Sequence, residues 1–410
     1  MNKILKVGTD FSGIGSPEQA LIELQEEGVL NFKSQFMCDI DKYARKSYEA
    51  LYGGGITYTD ITKRNHSEVP KLDLYVAGFP CQAFSLAGKR MGFEETRGTL
   101  FFNVAEFIKI NQPECFILEN VKGLLSHDSG KTFSTIISIL SDNGGTVNGQ
   151  HSIPYYDDGL GYHVYYQVLN TKEHGLPQNR ERIFIVGFKK ERDYRFPLPE
   201  KLNLKLKDVL EKEVDEKYYL SEKMLSGFIN KPTKGFENRF KPLKRTDDTA
   251  NTLSTKGGSA ITDNFIQEGF INQDTQASKV FSEEGTSPTL SSGTHGYANG
   301  YVQVKSATSK GYEEAKEGDS INYSVPNSKT RRGRVGKGVA QTLDTACNQS
   351  TIIKDKIRRL TPLECWRLQG FPDEQFYKAQ QVNSDTQLYK QAGNSISVPV
   401  IKKVIKNIYK

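Results

Sequence analysis

The chain has 410 residues, 36% of them hydrophobic and 25% charged, with a formal net charge of +6. That length suits two ordinary domains or one large domain with insertions. The composition speaks against a disordered chain, and no run approaches the ~20 apolar residues that a bilayer span needs. The mild positive balance is compatible with a polyanionic partner without requiring one.

Residues 1–190 read as an α/β unit. The opening run, interrupted by Asp10, is taken as a buried first strand rather than a secretory leader. Apolar runs at Ile4–Val7, Gln35–Cys38, Leu72–Ala77, Cys115–Leu118, Val164–Leu169 and Ile183–Phe188 are expected strands. Between them, Pro17–Leu24, Lys42–Leu51, Leu100–Ile110 and Phe133–Leu140 are expected helices. Strands alternating with helices imply a largely parallel, doubly wound sheet. The Gly-, Asn- and Asp-rich stretch Asn143–Gly159 is expected to be a surface insertion.

From 191 to 356 helical periodicity fades and Gly, Ser, Thr and Asn rise. A Thr-Leu motif recurs there, at Thr252-Leu253, Thr289-Leu290 and Thr342-Leu343, each followed by a short β-like run. Its irregular spacing argues against a solenoid. The expectation is a smaller, mostly β second domain, with chance recurrence in a Thr-rich region as the alternative. From 357 to 410 helices return. Thr361, Pro362 and Glu364 form a capping box, Gly370 and Pro372 are expected to stop that helix, and Val400, Ile401, Val404, Ile405 and Ile408 mark one helical face that packs back on the first domain.

Chemistry is expected where the strands end, because open α/β sheets bind ligands beyond their carboxyl edges. After strand one, Phe11-Ser12-Gly13-Ile14-Gly15 permits a tight turn, and Ser16, Pro17 and Gln19 read as a second capping box. The turn suits a nucleotide cofactor and equally a purely structural role. Asp39 and Asp41 follow strand two, where a carboxylate can accept from ribose hydroxyls. Asp60 and Ile61 come next, an acid for an adenine amino group and an apolar cover for the ring. Each acid singly is as readily a helix cap or solvated turn; together they favour an adenosine-containing cofactor. After the strand ending at Ala77 comes Gly78-Phe79-Pro80-Cys81-Gln82, then a glycine-containing loop with Ser85, Lys89, Arg90 and Arg97 that reads as a lid. A thiol there, beside cations, is a candidate nucleophile. The five cysteines (Cys38, Cys81, Cys115, Cys347 and Cys365) are odd in number and scattered, with no spacing for a metal site. That pattern suggests a reducing compartment, no disulfide framework and no metal. Glu119 follows the next strand as a candidate general acid. Arg180 and Arg182, two residues apart in an extended segment, point the same way, to hold Glu119 or a phosphate, or simply to sit on a solvated edge.

In this order, Phe11–Gly15, Gly78–Gln82, Arg97-Gly98-Thr99-Leu100-Phe101, Glu119-Asn120-Val121, Gln178–Arg182, Arg359–Pro372 and Gln391–Ser397 resemble the DNA cytosine-5 methyltransferase family. The resemblance spans nearly all of the chain outside 191–356. It implies a Rossmann-like methyltransferase sheet with a smaller, mostly β target-recognition domain. It implies transfer of a methyl group from S-adenosylmethionine to C5 of a cytosine flipped out of duplex DNA. Cys81 would add to C6 and Glu119 would hydrogen-bond N3. Arg182 would position Glu119 and the base, with Arg180 beside it. Phe11, Gly13, Ile14, Gly15, Asp39, Ile40, Asp60, Ile61, Pro80 and Leu100 would line the cofactor site, joined by Asn394 and Ser395. Asp39 stands where many relatives carry Glu, and Ile40 where an aromatic is often seen. DNA contacts would come from Ser85, Lys89 and Arg90, from the threonines 252, 289 and 342, and from Arg331, Arg332 and Arg334 in a basic cluster flanked by Lys329 and Lys337.

The same resemblance implies a cytoplasmic monomer acting on double-stranded DNA, with a restriction endonuclease as possible counterpart. The competing readings are an RNA cytosine methyltransferase, a catalytically silent DNA-binding protein and, disfavoured by the missing third glycine of a G-x-G-x-x-G loop, a nicotinamide oxidoreductase. The first typically carries a short target domain and a Cys-Phe-Thr signature, neither of which is present. The second is opposed by the intact Cys81, Glu119 and Arg182.

Overall fold

A computed structural model of the chain describes residues 3–80, 100–151, 159–219, 302–326, 328–353 and 356–410, with the backbone of short strands at 243–244, 266–270 and 279–281. The first unit is built from β1 (Ile4–Asp10), α1 (Ser16–Glu26), β2 (Asn31–Cys38), α2 (Lys42–Tyr52), β3 (Thr57–Tyr58), β4 (Leu74–Ala77), α3 (Leu100–Asn111), β5 (Cys115–Val121), α4 (Lys131–Ser141), β6 (Thr146–Val147), β7 (Gln150–His151), β8 (His163–Asn170), β9 (Gln178–Asn179) and β10 (Glu181–Phe188). Nine of these strands form one sheet in the order β3-β2-β1-β4-β5-β10-β8-β6-β7. β3 to β5 run parallel, and β10 enters antiparallel between β5 and β8.

Alternation along each strand sorts the side chains onto two faces. Leu74, Val76, Cys115, Ile117, Phe184 and Val186 join one apolar cluster, which α1 and the C-terminal helices complete. Tyr75, Ala77, Phe116, Leu118, Ile183 and Ile185 join the other, under α3 and α4. These strands are buried on both faces, which is why they read in sequence as continuous apolar runs.

The 143–159 stretch departs from the expected surface insertion. Thr146–His151 forms a hairpin, β6–β7, that extends the sheet through the parallel pair Val147 and Val164. Thr146 is buried there. Residues 152–158 lie outside the described residues.

Beyond β10 come a short helix, α5 (Leu206–Val209), and the strands β11 (Leu243–Lys244), β12 (Ile266–Phe270), β13 (Lys279–Phe281), β14 (Val302–Lys305), β15 (Tyr312–Ala315), β16 (Ser320–Asn322), β17 (Val335–Gly336), β18 (Ala340–Gln341), β19 (Gln349–Ile353) and β20 (Lys356–Arg359). A small apolar core of Val302, Val304, Ala315, Ile321, Tyr323 and Ile352 holds the later strands. Tyr194, Leu206, Val209, Ala340, Leu343 and Cys347, all within 191–356, belong instead to the large core under the C-terminal helices. The third Thr-Leu motif is thus docked on the α/β unit: β18 pairs with β9 through Ala340–Gln178 and Gln341–Asn179. The first two motifs lie outside the described residues.

The chain closes with α6 (Pro362–Arg367), α7 (Asp373–Gln380), α8 (Asp385–Asn394) and α9 (Val398–Tyr409). The Thr361–Glu364 capping box is present, with both reciprocal bonds made. Gly370 turns the chain in the left-handed region, and Pro372 serves as the N-cap of α7 rather than only as a stop. α9 buries Val400, Ile401, Val404, Ile405 and Ile408. Its Lys402 and Lys406 pair with Glu23 and Glu27, at the end of α1 and just beyond it. Among the described residues no helix is long and apolar enough to cross a membrane.

Candidate active site

The carboxyl end of β1 turns through three left-handed residues, Phe11 (φ 53°), Gly13 (φ 56°) and Gly15 (φ 79°). At Gly15 a side chain is doubly excluded, because a Cβ would also fall 2.3 Å from the Tyr52 ring. At Gly13 a Cβ would meet nothing within 4 Å, so this turn borders open space. The expected Ser16–Gln19 capping box is absent. Gly15 is the N-cap and Ser16 is already helical, while Gln19 Nε2 donates to Glu23 at 3.2 Å. With a left-handed glycine supplying the entry to α1, the helix start keeps no side-chain cap.

Asp39 is joined to that turn. Its Oδ2 accepts from Gly13 N and its Oδ1 from Asp41 N, both at 2.8 Å, and burial pushes its carboxyl up. Asp41 is the N-cap of α2 and pairs with Lys390. Ile40 is 77% exposed beside them. The expected adenine contact is less well served. The Asp60 carboxylate closes its own turn, accepting from the backbone and hydroxyl of Thr62, and Ile61 is buried in the second apolar cluster. Ile14 is likewise buried, Pro80 is exposed, and Leu100 begins α3 half-buried. Phe11, Gly13, Asn394 and Ser395 do share one pocket, which Thr9, Asp10, Gly78, Glu119 and Ile396 complete.

Glu119 lies on β5 opposite Phe184 of β10, and Arg182 lies opposite Val121. Glu119 and Arg182 are therefore diagonal neighbours on one face of the sheet. Arg182 Nε is 3.1 Å from Glu119 Oε1, but the N–H is not aligned on that oxygen, which has no hydrogen-bond partner among the described residues. Burial pushes the Glu119 carboxyl up, against the pull of Arg182 and then of Arg180. A carboxyl shifted upward in this way suits a general acid. The same carboxylate sits 3.5 Å from where a Cβ on Gly78 would lie. Asn120 Nδ2 donates to the Phe79 carbonyl at 2.8 Å, tying β5 to the segment that leads into Cys81. Cys81, Ser85, Lys89 and Arg90 themselves lie outside the described residues. The four described cysteines are all buried and free, and burial pushes the thiols of Cys38, Cys115 and Cys365 up.

The two arginines diverge. Arg180 does not pair with Glu119. It is buried and spends its guanidinium on backbone carbonyls: Ser395 at 2.8 Å, Gly393 at 3.2 Å and Leu343 at 3.4 Å. It lies just before β10 begins, so the strand's alternation does not govern it. Arg180 holds the C-terminal segment against the sheet edge, and with it the pocket wall at Asn394 and Ser395.

On the other side of Arg182 opens a cleft of about 350 Å³. Val121–Gly123, Asn179, Glu181 and Arg182 form one wall. Asn322, Arg331–Gly333, Gln341 and Thr342 form the other. Arg331, Arg332 and Thr342 are thus brought together, although Thr342 Oγ1 donates to the Asn179 carbonyl at 2.9 Å. Arg334 is a correction. It is 1% exposed and its guanidinium donates to the carbonyls of Asn322, Ser324 and Val325, so it braces a loop and does not face the cleft. Lys337 is bound to Asp319 at 2.9 Å. Thr252 and Thr289 lie outside the described residues. The reading from sequence missed Asn322, Gln341 and the exposed Lys122–Glu181 pair at 2.9 Å. Lys122 was within reach, since it follows Glu119-Asn120-Val121 directly. Among the described residues no group of three His, Cys, Asp or Glu side chains is placed to hold a metal ion.

Comparison with known proteins places these features in context. The model of the C-5 cytosine-specific DNA methylase family matches residues 10–410. An orphan methyltransferase, M.Rho11sI, of Bacillus phage rho11s is 31% identical, with 98% of this chain and 97% of that protein covered. The type II methyltransferase M.SsoII of Shigella sonnei is 32% identical, covering 97% of this chain and 78% of the relative. Among solved structures, the Entamoeba histolytica methyltransferase EhMeth superposes with a TM-score of 0.53 at 15% identity, over 100% of this chain and 98% of that one. That last likeness concerns the fold alone.

Proposed function

The chain belongs to the C-5 cytosine-specific DNA methylase family, and from that premise we propose that it methylates cytosine in duplex DNA with S-adenosylmethionine as methyl donor. The observation that carries the reading is the Glu119–Arg182 pair. Glu119 walls the pocket at the glycine turn, and Arg182 walls the cleft beside Arg331 and Arg332. A base entering from the cleft would meet Glu119 at the border of the cofactor pocket.

The residues around that pocket fit the cofactor. The turn at Gly13 borders open space, the start of α1 is uncapped, and Asp39 stands beside Ile40 at the end of β2. Phe11, Gly13, Asp39, Ile40, Asn394 and Ser395 would hold it, and when bound it supplies an electrophilic methyl group. Cys81, three residues past Gly78, is the proposed nucleophile. Its thiolate adds to C6 of the base. Glu119 holds a proton at N3, and Arg182 fixes the Glu119 carboxyl. C5 then carries the electron density that takes the methyl group. Loss of the C5 proton to a solvent base would then expel the thiolate and leave 5-methylcytosine, with S-adenosylhomocysteine as the spent donor. The burial of the other four cysteines supports this choice of thiol.

C5 and C6 are shielded in a stacked duplex, so the base must be flipped out at a cost of a few kcal/mol, offset by contacts to the DNA. We assign those contacts to the 191–356 region, through Arg331 and Arg332, and to Ser85, Lys89 and Arg90 in the loop after Cys81. In this reading the protein is a cytoplasmic monomer that protects host or phage DNA at a short recognition sequence, with or without a cognate endonuclease. Bisulfite sequencing of DNA from cells expressing the wild type and Cys81→Ser tests it. The wild type should leave one sequence context protected and the variant none, and protection by the variant would sink the mechanism.

A further inference from the structure

A buried ion pair lies beneath the glycine turn, apart from the residues assigned to the reaction. Asp10 is the last residue of β1, and its side chain is 0% exposed; Arg64 is 1% exposed. The two meet as a fork on a fork, Nη1 to Oδ1 and Nη2 to Oδ2, both at 2.7 Å. Tyr75 adds its hydroxyl to Asp10 Oδ2 at 2.7 Å, and Arg64 Nε is 3.4 Å from His66 Nδ1. Aromatic rings enclose the guanidinium: Phe36 and Phe107 have centroids 4.6 Å away and Tyr58 5.1 Å.

Stability alone does not require this arrangement. A buried ion pair is often replaced by apolar groups without loss, and the surrounding cluster is apolar already. What the pair adds is direction. A planar guanidinium stacked between rings and bonded at both ends fixes the rotation of the carboxylate it grips. That carboxylate belongs to the residue before Phe11, which is held in the left-handed region. Arg64 comes from the segment just after Asp60 and Ile61, beyond the edge strand β3. From there it reaches past β2 to β1. One side chain therefore joins the loop after β3 to the glycine turn that lines the pocket.

We propose that Arg64 is a positioning residue for the cofactor pocket, setting the Phe11–Gly13 turn through its grip on Asp10. The proposal rests on the reading of that pocket as the S-adenosylmethionine site. Its test compares Arg64→Lys, which keeps the charge but loses the fork, with Tyr75→Phe, which removes one hydroxyl and little else. Calorimetric Kd for S-adenosylmethionine, KM for cofactor and for DNA, kcat and melting temperature are read for each. Cofactor Kd and KM should rise about tenfold in Arg64→Lys and about threefold in Tyr75→Phe. In both variants kcat at saturating cofactor and KM for DNA should stay within twofold of the wild type. Unchanged cofactor Kd in a variant that melts cooperatively would overturn the proposal, as would equal losses in kcat and both KM values. If Arg64→Lys does not fold, Tyr75→Phe decides alone by the same criterion. A wild type that binds no S-adenosylmethionine would overturn the reading of the pocket itself, and this proposal with it.

Discussion

Arg180 Nη2 donates to the carbonyl of Ser395 at 2.8 Å, bridging 215 residues of chain. Removing that guanidinium leaves the buried carbonyls of Leu343, Gly393 and Ser395 without this donor. Hydrogen bonds to charged groups are worth about 1.5–3 kcal/mol each. Arg180→Met should therefore lower the melting temperature clearly, and it should raise the cofactor KM as Asn394 and Ser395 loosen. Thermal melts with and without S-adenosylhomocysteine check this: the ligand should raise the melting temperature of the variant less than that of the wild type.

Glu119→Gln should reduce kcat by roughly 10²–10⁴-fold, the usual worth of a positioned proton donor, with DNA affinity retained. Burial holds the Glu119 carboxyl above its ordinary value. Its protonated form is the competent one, so kcat should fall as pH rises through that raised value. The same limb should be missing from the residual activity of the Gln variant. A pH–rate profile of both proteins at saturating substrates decides the point.

Arg331→Ala and Arg332→Ala should weaken DNA binding and each reduce the slope of log K against log salt by about 1, the value of one phosphate contact. Arg334→Ala should behave differently. Its buried guanidinium serves three carbonyls, so the loss should fall on stability and leave the salt slope unchanged. Fluorescence anisotropy across a salt series, beside a urea melt, separates the two outcomes.

Glu18 offers a test of stability against pH. It is buried at the start of α1, accepting from Thr9 at 2.7 Å and Tyr48 at 2.9 Å, and its other oxygen has no partner among the described residues. Burial raises its pKa. A folded pKa above the unfolded value means that folding favours the protonated form. Its contribution is fully present below the ordinary Glu value and is lost as pH rises through the folded one. Glu18→Gln should therefore gain on the wild type in urea melts as pH is raised from 4 towards 8. A constant difference across that range would refute the assignment.

Much of this was legible in the sequence. Strands buried on both faces announce themselves as apolar runs, so β1, β5 and β10 were placed within a few residues. The Thr361–Glu364 box could be read because a cap depends only on local spacing. Strand-end positions singled out Glu119 and the two arginines, while the pairing of Glu119 with Arg182 came from the family resemblance, the residues alone leaving a phosphate or a solvated edge open. What sequence does not carry is burial of a cation. Arg180, Arg182 and Arg334 look alike as letters; one grips the C-terminal segment, one lies beside a carboxylate and one braces a loop. The cap of α1 was misplaced because glycine in the left-handed region substitutes for a side-chain cap. The Asp10–Arg64 pair went unread because 54 residues separate its members and no local pattern links them.

The pairing of β18 with β9 bears on any attempt to replace the 191–356 region. A chimera whose imported segment were cut at residue 356 would also import Ala340 and Leu343, which lie in the core of the host, and Gln341, which pairs with Asn179 of β9. Its junction would fall inside a packed interface, and the graft would have to match a stranger's hydrophobic contacts. A crossover placed ahead of residue 340 keeps that strand native, so a segment meant for replacement would end before the third Thr-Leu motif begins.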